Sequence, residues 1–232
     1  MIKRKIKNLI EEITYAQPTK LLSVPERAYE NALKSSCDYA EKHMVNSLMF
    51  FKPFEMWDFT IEMLKSEKPK GTVCLEFGVF KGGTINYFSK GLPEFKFYGF
   101  DSFKGLQTDW KGWTLRKGAF NLDGIKPTVN SNVDLIDGWF DETLPLYVKN
   151  DDTSQVQFIH IDSDTYESAE LIFDLLVDKI KKDTIILFDE YFGYRGWEIG
   201  EYKAFQEFSN KNNVKYEYLA FCKEQVLVKI IA

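Results

Sequence analysis

Cysteine is scarce in this chain and histidine scarcer, three of the one and two of the other in 232 residues. Cys37, Cys74 and Cys222 are odd in number, widely scattered and lack a C-x-x-C pair. That argues against a disulfide framework or a thiolate zinc site, and for a reducing compartment. No apolar stretch is long enough to span a bilayer. The opening Met-Ile-Lys-Arg-Lys-Ile-Lys-Asn-Leu-Ile is basic, but it has no uninterrupted apolar core and no cleavage site. A cytoplasmic protein with no membrane span is therefore expected. Positive charge is not in surplus either: the formal net charge is -5, which argues against nucleic acid as the main partner. No internal repeat or low-complexity tract is visible.

What is present is an ordinary globular composition, 44% hydrophobic and 28% charged, long enough to bury one real core. Residues 1–66 read as a helical extension or cap broken at Pro18, Pro25 and Pro53, and residues 67–232 as an α/β domain. Ile2, Ile6, Leu9, Ile10 and Ile13 recur at helical spacing. The favoured reading is a helix packed on its own protein or on a twin subunit, which leaves a homo-oligomer open. From residue 72 onward strands and helices alternate. Strands are expected over 72–77, 96–100, 133–136, 156–161 and 184–188, with 215–221 and 225–231 as a closing hairpin. Such alternation implies a Rossmann-like fold: a mostly parallel seven-stranded sheet, helices on both faces and an antiparallel edge hairpin. The connection over 104–132 carries no strong element, and loops of that length are commonly lids. Trp110, Trp113, Trp139 and Trp197 lie among loop-like residues and are candidate pocket walls.

The most informative stretch is Val73-Cys-Leu-Glu-Phe-Gly-Val-Phe-Lys-Gly-Gly-Thr84: a buried strand ending near Glu76, a glycine turn and a helix start. Gly78 permits close backbone approach, and a new helix offers unpaired N–H groups to something polar. It is not the dinucleotide fingerprint, because Phe80 stands where the middle glycine of G-x-G-x-x-G belongs and would obstruct a pyrophosphate. A nucleoside without one fits better, and S-adenosylmethionine (SAM) is the candidate. Asp101 ends the second strand at about the distance where such folds place an acid on ribose hydroxyls. Asp137-Gly-Trp-Phe140 ends the third, as the border of an adenine ring or as a turn with a buried Trp. Asp162, Asp164, Asp189 and Glu190 converge at the ends of the fourth and fifth. Carboxylates gathered so closely repel unless a cation neutralises them, and an all-oxygen site suits Mg²⁺; from these residues alone a solvated acidic rim is an equal reading. His160 reads as a hydrogen-bonded core histidine rather than a base.

Taken together, these blocks resemble the macrocin O-methyltransferase family, SAM- and Mg²⁺-dependent enzymes acting on sugar hydroxyls of glycosides. The resemblance spans roughly residues 72–206. It rests on Glu76-Phe-Gly-Val-Phe-Lys-Gly-Gly-Thr84, Phe100-Asp-Ser-Phe-Lys-Gly-Leu106, Gly138-Trp-Phe-Asp-Glu-Thr-Leu-Pro145, His160-Ile-Asp-Ser-Asp-Thr-Tyr-Glu-Ser168 and Phe188-Asp-Glu-Tyr191. It implies a class I methyltransferase fold and O-methyl transfer to a small-molecule acceptor, a sugar or glycoside. Glu76, Gly78, Gly82, Gly83 and Thr84 would hold the amino-acid end of SAM. Asp101 would take its ribose with Ser102 beside it, and Asp137, Gly138, Trp139 and Asp162 would complete the cofactor site. Asp164, Asp189 and Glu190 would bind Mg²⁺ or Mn²⁺, with Asp162, Asp164 and Glu167 as the catalytic acids. The chain departs from the commoner pattern in Thr84, where Ser is usual, and in Glu190, where a second Asp is usual. The alternatives are a metal-dependent O-methyltransferase of a catechol or other small acceptor, and a non-catalytic SAM-binding protein.

Overall fold

The computed structural model describes residues 22–66, 73–150 and 155–232. The apolar stripe of the first thirteen residues lies outside them. Helix α1 (Val24–His43) starts at Ser23, whose side chain and that of Glu26 cap each other's backbone N–H groups. A two-residue strand β1 (Leu48–Met49) and helix α2 (Pro53–Ser66) follow. The remaining elements are β2 (Val73–Phe77), α3 (Gly83–Gly91), β3 (Lys96–Asp101), β4 (Val133–Asp137), α4 (Phe140–Asn150), β5 (Phe158–Ile161), α5 (Tyr166–Leu176), β6 (Ile185–Phe188), α6 (Glu201–Lys211), β7 (Tyr216–Cys222) and β8 (Gln225–Ile230).

They form one sheet in the order β1-β7-β8-β6-β5-β2-β3-β4. β4, β3, β2, β5 and β6 run parallel, and β8 is antiparallel to both β6 and β7. The expected seven strands are thus eight, because β1 pairs in parallel with β7 at the sheet edge. Two residues are too few to show a period, so nothing in the sequence marks that strand. A further addition is α4. Its Pro145 disguises a helix whose first turn carries Asp141 and Glu142, the charge that suits a helix N-terminus.

Period-2 alternation divides the strand side chains between two cores. Leu75, Phe77, Ile159, Ile161, Ile186 and Phe188 face one side with α5 and α6. Cys74, Phe158, Ile185 and Leu187 face the other, with α2 and α3. The central strands are buried on both faces, which is why they read as mostly apolar runs, with Glu76 in β2 and His160 in β5 as the exceptions. By the same alternation Glu76, His160 and Asp189 fall on the α2/α3 side. Residues 22–66 pack on this framework. Ser36 Oγ accepts from Gly193 N at 2.8 Å, and Ser35 Oγ accepts from Trp197 Nε1 at 3.0 Å.

Candidate active site

The carboxyl ends of β2, β3, β5 and β6 open into one cavity of about 480 Å³. Among the residues singled out from sequence, Gly78, Asp101, Ser102, Trp139, Asp162, Asp164, Glu167, Asp189 and Glu190 line it. Glu76, Gly82, Gly83, Thr84, Asp137 and Gly138 do not. Asp137 is exposed and paired with Lys126 at 3.1 Å, while Gly82 sits at φ 77 as the left-handed N-cap of α3. Of the four candidate tryptophans, Trp110 and Trp139 line the cavity. Trp197 is buried in the core, and Trp113 stacks on Tyr194 with ring centroids 6.2 Å apart.

Gly78 has a second task besides ligand approach. Its φ is +97°, and a Cβ there would overlap the carbonyl oxygen of Asp162. A side chain would therefore force apart the ends of β2 and β5, which are joined by Asp162 N donating to Phe77 O at 2.9 Å. Asp101 is likewise engaged by the protein. Its Oδ2 accepts from Val79 N at 2.9 Å and Phe80 N at 2.7 Å, and its Oδ1 from Phe103 N at 2.7 Å. These charge-assisted bonds hold the glycine turn against the end of β3 and keep Phe80 at φ 46°, a conformation few non-glycine residues adopt. The Phe80 ring then forms cavity wall, edge-on to Phe120 at 5.4 Å.

A row of titratable groups crosses three neighbouring strands, from buried Glu76 and His160 to Asp189 at the cavity wall. Glu76 Oε2 meets His160 Nδ1 at 3.1 Å, and His160 Nε2 stands 3.5 Å from Asp189 Oδ1, an ion-pair distance rather than a hydrogen bond. His160 is fully buried and bonded to an acid, as its alternation with apolar neighbours suggested. Burial disfavours the imidazolium, but the Asp189 and Glu76 carboxylates outweigh it and hold His160 well above its ordinary pKa. Burial raises the Glu76 carboxyl despite the pull of His160. Asp189 is net lowered: burial pushes it up, and His160, Glu190 and Gln225 more than offset that. Gln225 Nε2 donates to Asp189 Oδ1 while its Oε1 accepts from Trp57 Nε1 at 3.1 Å, so α2 helps fix this acid.

Above that row the acids crowd together. One oxygen each from Asp162, Asp164 and Glu190 lie within 4.8 Å of one another, and ligand atoms of His160, Asp162 and Asp189 do likewise. Asp162 belongs to both groups, whereas the resemblance sets it apart from Asp164, Asp189 and Glu190 as metal ligands. Burial and the charge of Asp189 raise Asp162 and Glu190 well above the usual carboxylate range. Burial, with Asp189 and Asp101 nearby, pushes Asp164 up to about 7. Glu190 Oε2 is buried and has no hydrogen-bond partner among the described residues. Asp164 sits at φ 62°, backbone strain of a kind that gathers at functional sites. Glu167 differs: Lys111 Nζ lies 2.6 Å from its Oε1 and lowers its pKa. A fifth acid in the cluster, Glu201, is invisible from sequence, where a first-turn glutamate reads as solvent-exposed helix charge. It is fully buried, and burial pushes it up to about 8 although Ser163 donates to it.

The connection over 104–132 folds over the opening. Leu106 and Ala119 pair through Leu106 N to Ala119 O at 2.9 Å, and Lys104 bridges to Asn121. Its exit is anchored on α3, where Asn130 Nδ2 donates to Asn86 O and Ser89 Oγ, both at 2.9 Å.

A strand-end cavity beside a glycine turn is the geometry of nucleotide-binding α/β enzymes, and comparison with known proteins narrows it. The family model described as "Methyltransferase domain" matches residues 75–191, half of the chain, from the middle of β2 to just past Glu190. The chain belongs to that methyltransferase family. It is a SAM-dependent methyltransferase. No curated protein sequence matches it. Among solved structures, the methyltransferase CalS11 of calicheamicin biosynthesis superposes with a TM-score of 0.60 at 18% identity, over 92% of this chain and 97% of that one. A second CalS11 structure describes that protein as a TDP-rhamnose 3'-O-methyltransferase. The O-methyltransferase NovP gives 0.56 at 17% identity, over 77% and 79% of the two chains. An O-methyltransferase from Bacillus cereus in complex with SAH gives 0.50 at 13%, over the whole of both. At such identities these likenesses carry the fold, not the substrate.

Proposed function

We propose that this methyltransferase transfers the methyl group of SAM to a hydroxyl of a sugar or glycosylated small molecule, within the macrocin O-methyltransferase family, assisted by one divalent cation, Mg²⁺ or Mn²⁺. The observation that carries it is the group Asp162, Asp164 and Glu190, with its buried and unpartnered Glu190 oxygen. A hard cation that takes oxygen ligands fits this donor set. It would supply Lewis-acid polarisation of the acceptor hydroxyl and a template for its orientation.

The chain's own residues supply the rest. Gly78 and Asp101 shape the turn against which SAM would lie, and Phe80 narrows it against a pyrophosphate. SAM binding without NAD(H) binding is expected in calorimetry; the reverse would overturn the cofactor assignment. Glu167 lines the same cavity but stands outside the Asp162, Asp164 and Glu190 group, and is the acid suited to take the hydroxyl proton; Lys111 beside it keeps it ionised. Trp110, Leu106 and Phe120 close the cavity from the 104–132 side and exclude water. Asp101, Asp141, Asp162, Asp164, Glu167, Asp189 and Glu190 line the cavity and, among the described residues, no Lys or Arg does, so a neutral or amine-bearing polyol suits it better than a nucleotide sugar.

The test is methyl transfer from SAM to parallel panels of glycosides, nucleotide sugars and catechols, with and without EDTA. Metal-dependent methylation of a glycoside is expected. Turnover of catechols alone would move the acceptor class, and full turnover in metal-free protein would remove the cation.

A further inference from the structure

Glu201 opens α6 directly after Gly200, and its side chain is fully buried although its position is that of an ordinary exposed first-turn acid. Its oxygens turn to the two loops that carry the acid cluster. Oε1 accepts from Ser163 N at 3.0 Å and from Ser163 Oγ at 3.1 Å. Oε2 accepts from Glu190 N at 3.4 Å. Ser163 lies between Asp162 and Asp164, and Glu190 follows Asp189. One carboxylate thus ties the loop after β5 to the loop after β6.

A buried acid is expensive to ionise, and here it stands beside a cluster already rich in carboxyl groups. A role in helix capping alone would not require that burial, since a first-turn acid acts equally well from the surface. Tyr194 crosses the same corner, its hydroxyl donating to Glu190 O at 3.4 Å, and a Cβ at Gly200 would strike that hydroxyl. Gly200 is what allows α6 to begin close enough for Glu201 to reach both loops.

Resting on the cation reading above, we propose that Glu201 is a positioning residue for the cation site. It sets the distance between the Asp162–Asp164 loop and Glu190, and so favours a small cation over a larger one. Mg²⁺ demands near-octahedral oxygens at about 2.0–2.1 Å, whereas Ca²⁺ accepts looser geometry at about 2.3–2.6 Å. A strut between the two ligand-bearing loops therefore matters more for Mg²⁺.

The experiment is calorimetric titration of Mg²⁺ and of Ca²⁺ into the metal-stripped full chain, with SAM affinity measured alongside. Glu201→Gln keeps the size of the side chain, but its amide nitrogen cannot accept from Glu190 N. It should weaken Mg²⁺ at least about tenfold, weaken Ca²⁺ less, and leave SAM affinity unchanged. Ser163→Ala removes one bond from the opposite end and should shift the Mg²⁺/Ca²⁺ ratio in the same direction by less; it carries the test if Glu201→Gln does not fold. Unchanged affinities for both ions in a folded variant would overturn the proposal and leave Glu201 structural. A wild-type chain that binds neither ion would overturn the cation reading itself, and this proposal with it.

Discussion

At the scale of single residues, several side chains noted for their chemistry also hold the fold together. Gly78 is required by the carbonyl of Asp162 as well as by its own φ of +97°. Gly78→Ala should lower stability by at least about 2 kcal/mol through strain and overlap, read from urea unfolding midpoints. A near-wild-type midpoint would mean that the ends of β2 and β5 separate freely. Asp101→Ala would leave the N–H groups of Val79, Phe80 and Phe103 without their acceptor. A loss of about 2–4 kcal/mol in stability is expected, accompanied by weaker SAM binding. Weaker SAM binding at unchanged stability would instead assign the carboxylate to the ligand alone. Both residues were legible in the sequence as members of the site, because glycine and a strand-end acid are conspicuous there. Their structural tasks were not, since each depends on a partner from another strand or loop. Glu201 was illegible for the same reason: only the fold turns a helix-start glutamate inward.

At the scale of elements, the central strands were readable because both of their faces are buried and their runs are mostly apolar, broken only by residues such as Glu76 and His160. The hairpin β7–β8 was readable from its two apolar runs and short turn. β1 and α4 were not, the first being too short for any period and the second interrupted by Pro145. The 104–132 connection stands out by its length, and we propose that it is a lid over cofactor and acceptor. Its docking point is Gly112, at φ +94°, where a Cβ would overlap the carbonyl of Arg195. Gly112→Val should release that contact and raise hydrogen exchange within 104–126, with β2, β5 and β6 unaffected. Added SAM and acceptor should slow exchange there in the wild type. Strong protection with and without ligands would contradict a lid.

At the scale of the whole molecule, the acid cluster sets how stability responds to pH. Asp164 at about 7 and Glu201 at about 8 lie above their unfolded values, so between pH 5 and 8 the folded chain binds more protons than the unfolded one. Stability from these groups is present at low pH and lost as pH rises through those values. His160, also raised, acts in the same direction. Asp189 is lowered, so its contribution stands above the ordinary carboxylate range and falls away only in acid. Metal-free protein should therefore melt at a lower temperature at pH 8 than at pH 5. Mg²⁺ should recover most of that difference. A melting temperature that rises toward pH 8 in EDTA would show that the acids are well solvated.

Fold class and reaction class were open to sequence reasoning because strand-end acids and a glycine turn recur in order along the chain. The convergence of Asp162, Asp164, Asp189 and Glu190 was read from the strand ends, but which of them lie together was not, because their spacing is set across two loops that meet only in the folded sheet. The measurement that bears most directly on the account is mass-spectrometric detection of methylated glycoside after incubation with SAM, using metal-stripped enzyme with and without added Mg²⁺. Methylated product that requires Mg²⁺ in the wild type and is absent in Asp162→Asn is the predicted result. Equal product in EDTA and in Mg²⁺, or full activity of Asp162→Asn, would contradict a cation-assisted methyl transfer at this site.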